Sequence, residues 1–260
     1  MKHDKPCVAV HKFSSCDGCQ LAFLNAGEGL LTLSELVDIV HFAEAGPVSP
    51  EARVAIAFVE GSIATPDDAE RIKRIRENSD FLITIGACAT AGGIQALRNL
   101  ADGQQWIDAV YASPQYIHSL ATSTPIAAHV KVDLELWGCP VNTRQVLAAV
   151  RALLFGVAPV VSRDSVCLEC KRDGNVCVLV AKGMPCMGPV TRTGCGALCP
   201  SFGRGCYACY GPAENINTAS LSRRFAGLGL LPEAIARHFL TVNAAAPDFV
   251  RAAQQMRGRS

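Results

Sequence analysis

The sequence has almost no net charge: 24 lysines and arginines against 23 aspartates and glutamates leave +1 at pH 7. With no basic excess and no basic run, nucleic acid is not expected as a partner. No apolar run reaches the roughly 20 residues that a bilayer span requires, so direct membrane insertion is not expected either. The opening stretch MKHDKPCVAVHKF lacks the apolar core and small-residue cleavage site of a secretory signal, and it contains no twin arginine. A cytoplasmic location is the expectation. The glycine-rich stretch GACATAGG at 86–93 has no Walker lysine followed by serine or threonine, which makes nucleotide binding the weaker reading there. None of the six histidines stands at a ligand-like spacing from a cysteine, so each is expected to be satisfied or exposed.

What the chain has in abundance is thiol. Thirteen of its 260 residues are cysteine, at positions 7, 16, 19, 88, 139, 167, 170, 177, 186, 195, 199, 206 and 209. Half of the residues are apolar, enough for a full core in one large domain or two smaller ones. In a reducing compartment disulfides are rare, and a cysteine density of this kind points to metal.

The first half alternates short β-branched runs with helical ones. Cys7 to Phe13, Val37 to Phe42, Arg53 to Val59, Phe81 to Ile85 and Val132 to Leu136 read as strands. Pro66 to Asn78 reads as a helix with Thr65 as N-cap, proline and aspartates in its first turn and basic residues at its end. Asn142 to Leu154 reads as another, capped by Asn142, with Val146, Leu147, Val150, Leu153 and Leu154 on one apolar face. This alternation predicts an α/β fold with a flavodoxin-like, doubly wound parallel sheet over residues 1–158. Residues 159–260 are expected to form a cysteine-rich domain of little regular structure with a helical tail.

On that scheme Cys16 and Cys19 follow the first strand, Cys88 the fourth and Cys139 the fifth. All four fall past the carboxyl ends of parallel strands, where open α/β sheets place their ligands, and they should converge. Four converging thiolates are a ligand set for zinc or for an iron-sulfur cluster. Taken singly, Cys88 and Cys139 could equally be inert buried thiols. Gly18, Gly86, Gly92, Gly93, Gly138 and Pro140 frame these positions and would let backbone approach a bulky inorganic ligand. The remaining eight run Cys167-x2-Cys170-x6-Cys177-x8-Cys186-x8-Cys195-x3-Cys199-x6-Cys206-x2-Cys209, two sets of four by number. Two CxxC pairs also suit structural zinc; the glycines between them and Pro200 after Cys199 favour iron-sulfur.

The stretches SSCDGCQLAFLN, IAFVEGSIAT, ITIGACATAGGIQAL, LWGCPVN and GPVTRTGCGALCPSFGRGCYACYGP together resemble the small, electron-transferring subunit of nickel-iron hydrogenases. The resemblance covers about residues 8 to 215 and is strongest to the cytosolic enzymes, of the sulfhydrogenase delta and NADP-reducing hydrogenase type. It implies an oxidoreductase subunit with no catalytic residue of its own and with three 4Fe-4S clusters. Cys16, Cys19, Cys88 and Cys139 would hold the proximal cluster, Cys167, Cys170, Cys177 and Cys186 the distal, and Cys195, Cys199, Cys206 and Cys209 the medial. It also implies a large subunit bearing the nickel-iron site as partner. A further redox subunit would complete the chain, flavin-bearing and NAD(P)-linked, with deazaflavin or heterodisulfide reductases, or another iron-sulfur subunit, as alternatives.

Two other readings stand beside it. The related 20 kDa subunit of NADH:quinone oxidoreductases shares the flavodoxin-like half, but it uses adjacent cysteines where this chain has CxGC and lacks the eight-cysteine extension. A non-redox scaffold with structural zinc is the other. Glu60 in VEGSI either positions the first site or is a solvated loop acid. Cys7 is expected to be a packed thiol, residues 16 to 33 an apolar docking surface, and Pro247 to Ser260, with Arg251, Arg257 and Arg259, a solvated helix end.

Overall fold

The computed structural model describes residues 5–258; Arg259 lies outside the described residues. The chain divides into two compact units, the first ending at Pro159 and the second beginning at Val160.

The first unit contains strands β1 (Cys7–Lys12), β2 (Asp38–Phe42), β3 (Val54–Glu60), β4 (Ser79–Ile85) and β5 (Leu134–Leu136), and helices α1 (Gly18–Leu24), α2 (Glu28–Leu36), α3 (Pro66–Glu77), α4 (Gly86–Ala91), α5 (Gly103–Val110) and α6 (Thr143–Leu154). The five strands are parallel in the order β2-β1-β3-β4-β5. The order reverses direction after β2, so right-handed crossovers place the helices before and after the reversal on opposite faces. Both faces of the sheet are thereby covered, and Val54, Ala57, Val59 and Leu82 are buried in one continuous apolar cluster with Ile72 and Ile75 of α3. Cys7 packs against the margin of that cluster, as expected of a packed thiol.

Each expected strand is present, with shifted ends. β5 is shorter than the run Val132 to Leu136 because Asp133 spends its carboxylate on the sheet: it accepts the Leu82 N–H at 2.9 Å and pairs with Arg76. α3 starts where its cap dictates. Thr65 Oγ1 accepts the Asp68 N–H at 3.1 Å, and Asp68 Oδ2 accepts the Thr65 N–H at 3.2 Å, a reciprocal capping box with Pro66 in the first turn. In α6, capped by Asn142, the buried residues are Val146, Ala149 and Val150. Leu147, Leu153 and Leu154 are only half-buried, so the apolar stripe is narrower than its pattern suggested.

The histidines depart from expectation too. His11 and His41, on neighbouring strands, are buried with ring centroids 4.7 Å apart, and His41 Nδ1 has no hydrogen-bond partner among the described residues. Burial, then His41, then Arg71 hold the His11 pKa down at about 3. Both rings are packed neutral, as apolar groups.

The second unit opens with α7 (Val166–Arg172), α8 (Val178–Ala181) and α9 (Leu198–Ser201), one or two turns each, and closes with α10 (Thr218–Gly227), α11 (Pro232–Leu240) and α12 (Pro247–Arg257). Phe225, Phe239 and Phe249 are fully buried among the last three. α12 is therefore not a solvated end. Its Phe249, Ala252, Ala253 and Met256 are buried, and Arg257 reaches both carboxylate oxygens of Glu233 at 3.0 and 3.1 Å.

Thr65→Ala removes the N-cap acceptor of α3 and is expected to lower the stability of the first unit by about 1 kcal/mol. Denaturant unfolding followed by far-UV circular dichroism checks this; an unchanged midpoint would show that the cap contributes nothing.

Candidate metal centres

β1, β3, β4 and β5 are consecutive neighbours in the sheet, so their carboxyl ends share one edge, and each delivers one component of a site. After β1 the chain passes Cys16 and enters α1, with Cys19 as its second residue. β3 ends on Glu60, β4 runs directly into α4 with Cys88 in its first turn, and β5 leads to Cys139. The elements are tied at the edge itself. Ala87 of α4 donates to Gly138 O at 2.7 Å, Val141 donates to Cys19 Sγ at 3.5 Å, and Cys88 Sγ donates to Gln95 Oε1 at 3.1 Å.

Neighbouring thiols act on one another's titration at this edge. Burial, then the fields of Cys139 and Cys16, push the Cys88 thiol up to about 12. Burial raises Cys19 strongly, against the Val141 N–H, with Glu60, Cys88 and Cys139 adding to the rise. Cys139 is raised by burial and then by Cys16. Without metal Cys19, Cys88 and Cys139 are held as neutral thiols, and a metal must displace their protons to bind.

Two glycines line the space beside the sulfurs. At Gly86, φ +84°, a Cβ would lie 2.3 Å from Cys19 Sγ; at Gly93, φ +59°, it would lie 2.5 Å from Cys88 Sγ. A side chain at either position would occupy the thiols' own space. Glu60 is 2% exposed and accepts the Cys19 N–H at 3.0 Å. Burial raises its carboxyl pKa, opposed by hydrogen bonds from Cys19 and Gln20. The solvated-acid reading is overturned: Glu60 supports the backbone of one of the four cysteines.

In the second unit, Cys167 and Cys170 are three residues apart on α7 and share a helix face. Burial, followed by Cys186, Cys170 and Cys177, pushes Cys167 up to about 11, and Cys170 is raised by burial and then by Cys186 and Cys177. Cys167 and Cys186 lie together: a Cβ at Gly188 would stand 3.4 Å from Cys186 Sγ and 3.5 Å from Cys167 Sγ. Cys206 is raised by burial, with Cys186 and Cys209 contributing, and its N–H donates to Cys186 Sγ at 3.2 Å. Burial raises Cys195, opposed by backbone N–H groups beside it and reinforced by Glu169. Among the described residues no three Cys, His, Asp or Glu side chains gather closely enough to hold a single metal ion. The donor chemistry is nonetheless uniform: thiols, backbone amides aimed at sulfur, and the cradle at Gly86 and Gly93. These residues fit an iron-sulfur cluster.

Residues 16–153 match the family described as NADH ubiquinone oxidoreductase, 20 Kd subunit. Sulfhydrogenase 2 subunit delta of Pyrococcus furiosus is 34% identical over 214 residues, 82% of this chain and 90% of that protein. A vhu subunit of the F420-non-reducing hydrogenase of Methanococcus voltae is 30% identical over 258 residues, 87% of this chain and 90% of that protein. The chain belongs to this family, as one of its hydrogenase small subunits. The fold agrees: a chain of an NAD+-reducing NiFe hydrogenase crystallised in its H2-reduced state superposes with a TM-score of 0.55 at 25% identity, covering 60% of this chain and 94% of that one. The family match stops at residue 153, before the eight-cysteine segment begins at Cys167. The two hydrogenase relatives align over more than four-fifths of the chain, which sets this small subunit apart from a 20 kDa-type respiratory subunit. Membership in this group implies iron-sulfur clusters. Among the described residues no helix is long and apolar enough to cross a membrane.

Sequence reasoning reached all twelve cysteines and Glu60 but passed over two side chains that the structure brings to them. Gln95 accepts a hydrogen bond from the Cys88 thiol, and Glu169 binds the backbone around Cys195. The signal for Glu169 was its place inside the Cys167–Cys170 pair.

Gly86→Ala is expected to lower the iron and acid-labile sulfide of the purified small subunit, because the added methyl meets Cys19 Sγ and φ +84° strains any side chain there. Full iron loading in this variant would mean that the sulfurs can move aside.

Proposed function

We propose that this small subunit relays electrons between a nickel-iron site in a separate large subunit and a further redox subunit, through three 4Fe-4S clusters. The convergence of four thiols from the loops after β1, β4 and β5, braced by Glu60 from β3, carries this reading. Cys16, Cys19, Cys88 and Cys139 hold the cluster nearest the large subunit. Cys167, Cys170, Cys177 and Cys186 hold the distal cluster, and Cys195, Cys199, Cys206 and Cys209 the medial one. The influence of Cys186 and Cys177 on both Cys167 and Cys170 supports the first set, and the Cys206 N–H on Cys186 Sγ places the two sets side by side. Each bound cluster supplies a one-electron carrier.

The residues of this chain hold and tune; none performs proton chemistry on hydrogen. Amides of Val141, Cys206 and Ala208 donate to cysteine sulfurs, an arrangement that stabilises added negative charge on a cluster. Beside the first site, Leu21 on α1 is 50% exposed and Leu31 on α2 is 67% exposed, and Cys16 and Cys139 are also exposed. Apolar side chains around exposed ligands suit burial under the large subunit. The similarity to a chain of an NAD+-reducing enzyme supports an NAD(P)-linked flavin subunit as the next partner, in the cytoplasm.

Anaerobic purification of the complex, followed by iron, sulfide, zinc and nickel analysis, tests the reading. The expected result is about twelve irons per small subunit with matching sulfide, and nickel in a second polypeptide. Zinc without sulfide would replace this reading with a structural scaffold. The partition has its own test: Cys170→Ser and Cys199→Ser are expected to abolish different cluster signals in electron paramagnetic resonance, and loss of the same signal in both would require the eight ligands to be divided otherwise.

A further inference from the structure

Glu169 lies between Cys167 and Cys170 on α7, and both of its carboxylate oxygens are engaged on a different segment. Oε1 accepts the Gly194 N–H at 2.9 Å and Oε2 accepts the Ala197 N–H at 3.2 Å. The two donors bracket Cys195, and the chain then runs through α9, which carries Cys199. In the partition proposed above, on which this inference rests, Cys167 and Cys170 belong to one ligand set and Cys195 and Cys199 to the other. One side chain thus connects the frames of both.

The loop it grips depends on outside support. Upstream, the Thr193 N–H donates to Asp164 O at 2.9 Å and its hydroxyl meets Ser162 Oγ at 3.1 Å. Ala197 has φ 49° and ψ 35°, a left-handed conformation that an L-residue adopts only when its surroundings impose it. Glu169 accepts the Ala197 amide in that conformation, and with Gly194 as its second donor the carboxylate sits against the backbone on both sides of Cys195 and brings its charge to that cysteine.

We propose that Glu169 is a positioning residue shared by the two sites of the second unit: it clamps the Gly194–Ala197 loop to α7 and holds down the reduction potential of the site that contains Cys195. The physical basis is direct. A reduced cluster carries one more negative charge, and a nearby carboxylate opposes it.

The test uses the complete complex, with E169Q, E169A and E169D compared with the unmodified protein by iron and sulfide content and by potentiometric titration of each cluster signal. E169Q keeps one oxygen acceptor and loses the charge. It is expected to retain iron and sulfide, to shift one midpoint potential in the positive direction, and to leave the signal that depends on Cys16, Cys19, Cys88 and Cys139 where it was. E169A is expected to lose iron from the second unit. If E169Q loses iron as well, E169D, which keeps two acceptors, is expected to restore part of it; no restoration would overturn the clamp. Midpoints unmoved in an E169Q protein that is fully loaded would overturn the effect on potential. Full iron and unaltered potentials in E169A would overturn both. An unmodified complex without sulfide would instead remove the reading on which the proposal stands.

Discussion

A cage of thiols on a parallel sheet can be assembled only where adjacent strands end together. In the first unit that constraint determines nearly everything. β1, β3, β4 and β5 are parallel and in register, so whatever follows each of them emerges at one edge, whatever its distance in sequence. Cys19 and Cys139 are 120 positions apart and are nevertheless coupled. β3 contributes no cysteine, and the gap this leaves is filled by Glu60, buried and bonded to the Cys19 amide. The cost of burying a carboxylate is offset in part by the Cys19 amide on Oε1, while Oε2 has no hydrogen-bond partner among the described residues. The position is structural before it is anything else: it holds the turn from β1 into α1 against the next strand.

The second unit solves the same problem without a sheet. Its cysteine segment has helices of seven residues at most, too short to be stable by their own hydrogen bonds. Order comes from crossed ties. Val166 donates to Thr191 O at 2.8 Å, Thr193 to Asp164 O at 2.9 Å, and Met187 to Cys206 O at 3.0 Å. Each tie joins segments far apart in sequence, and several lie next to a cysteine. The apolar core sits downstream, among Phe225, Phe239 and Phe249. The first unit takes its frame from the sheet; the second takes it from these ties.

The legible part of the sequence was the part governed by period and by termini. All five strands and the helices over 66–77 and 143–154 could be read because β-branched runs, caps and prolines act locally. Parallel pairing followed from alternation, and with it the expectation that Cys16, Cys19, Cys88 and Cys139 lie past strand ends on one edge; the strand order was visible only in the structure. What escaped depended on burial. Leu147 and Ala149 exchanged roles on α6 because helical periodicity defines a stripe and not its width. His11 and His41 were expected to be satisfied or exposed and are packed together as neutral rings. α12 looked polar through its arginines, yet its Phe249, Ala252, Ala253 and Met256 complete a core. In each case the deciding neighbour is remote in sequence.

The two units also differ in what their carboxylates do, and the difference follows from backbone geometry. Glu60 ends a strand, so its oxygen points along the sheet edge toward an amide held by α1, and it braces one ligand set from within. Glu169 projects from a helix, between two cysteines that the same helix turn presents, and can reach only outward, to the loop around Cys195. A buried carboxylate beside thiolate ligands carries an electrostatic penalty for the loaded site. Retaining one is worthwhile where backbone amides would otherwise lack partners and the loop would lose its shape. In both units the acid therefore does what the glycines cannot: glycine permits the close approach, and the carboxylate makes it the only arrangement in which the nearby amides are satisfied.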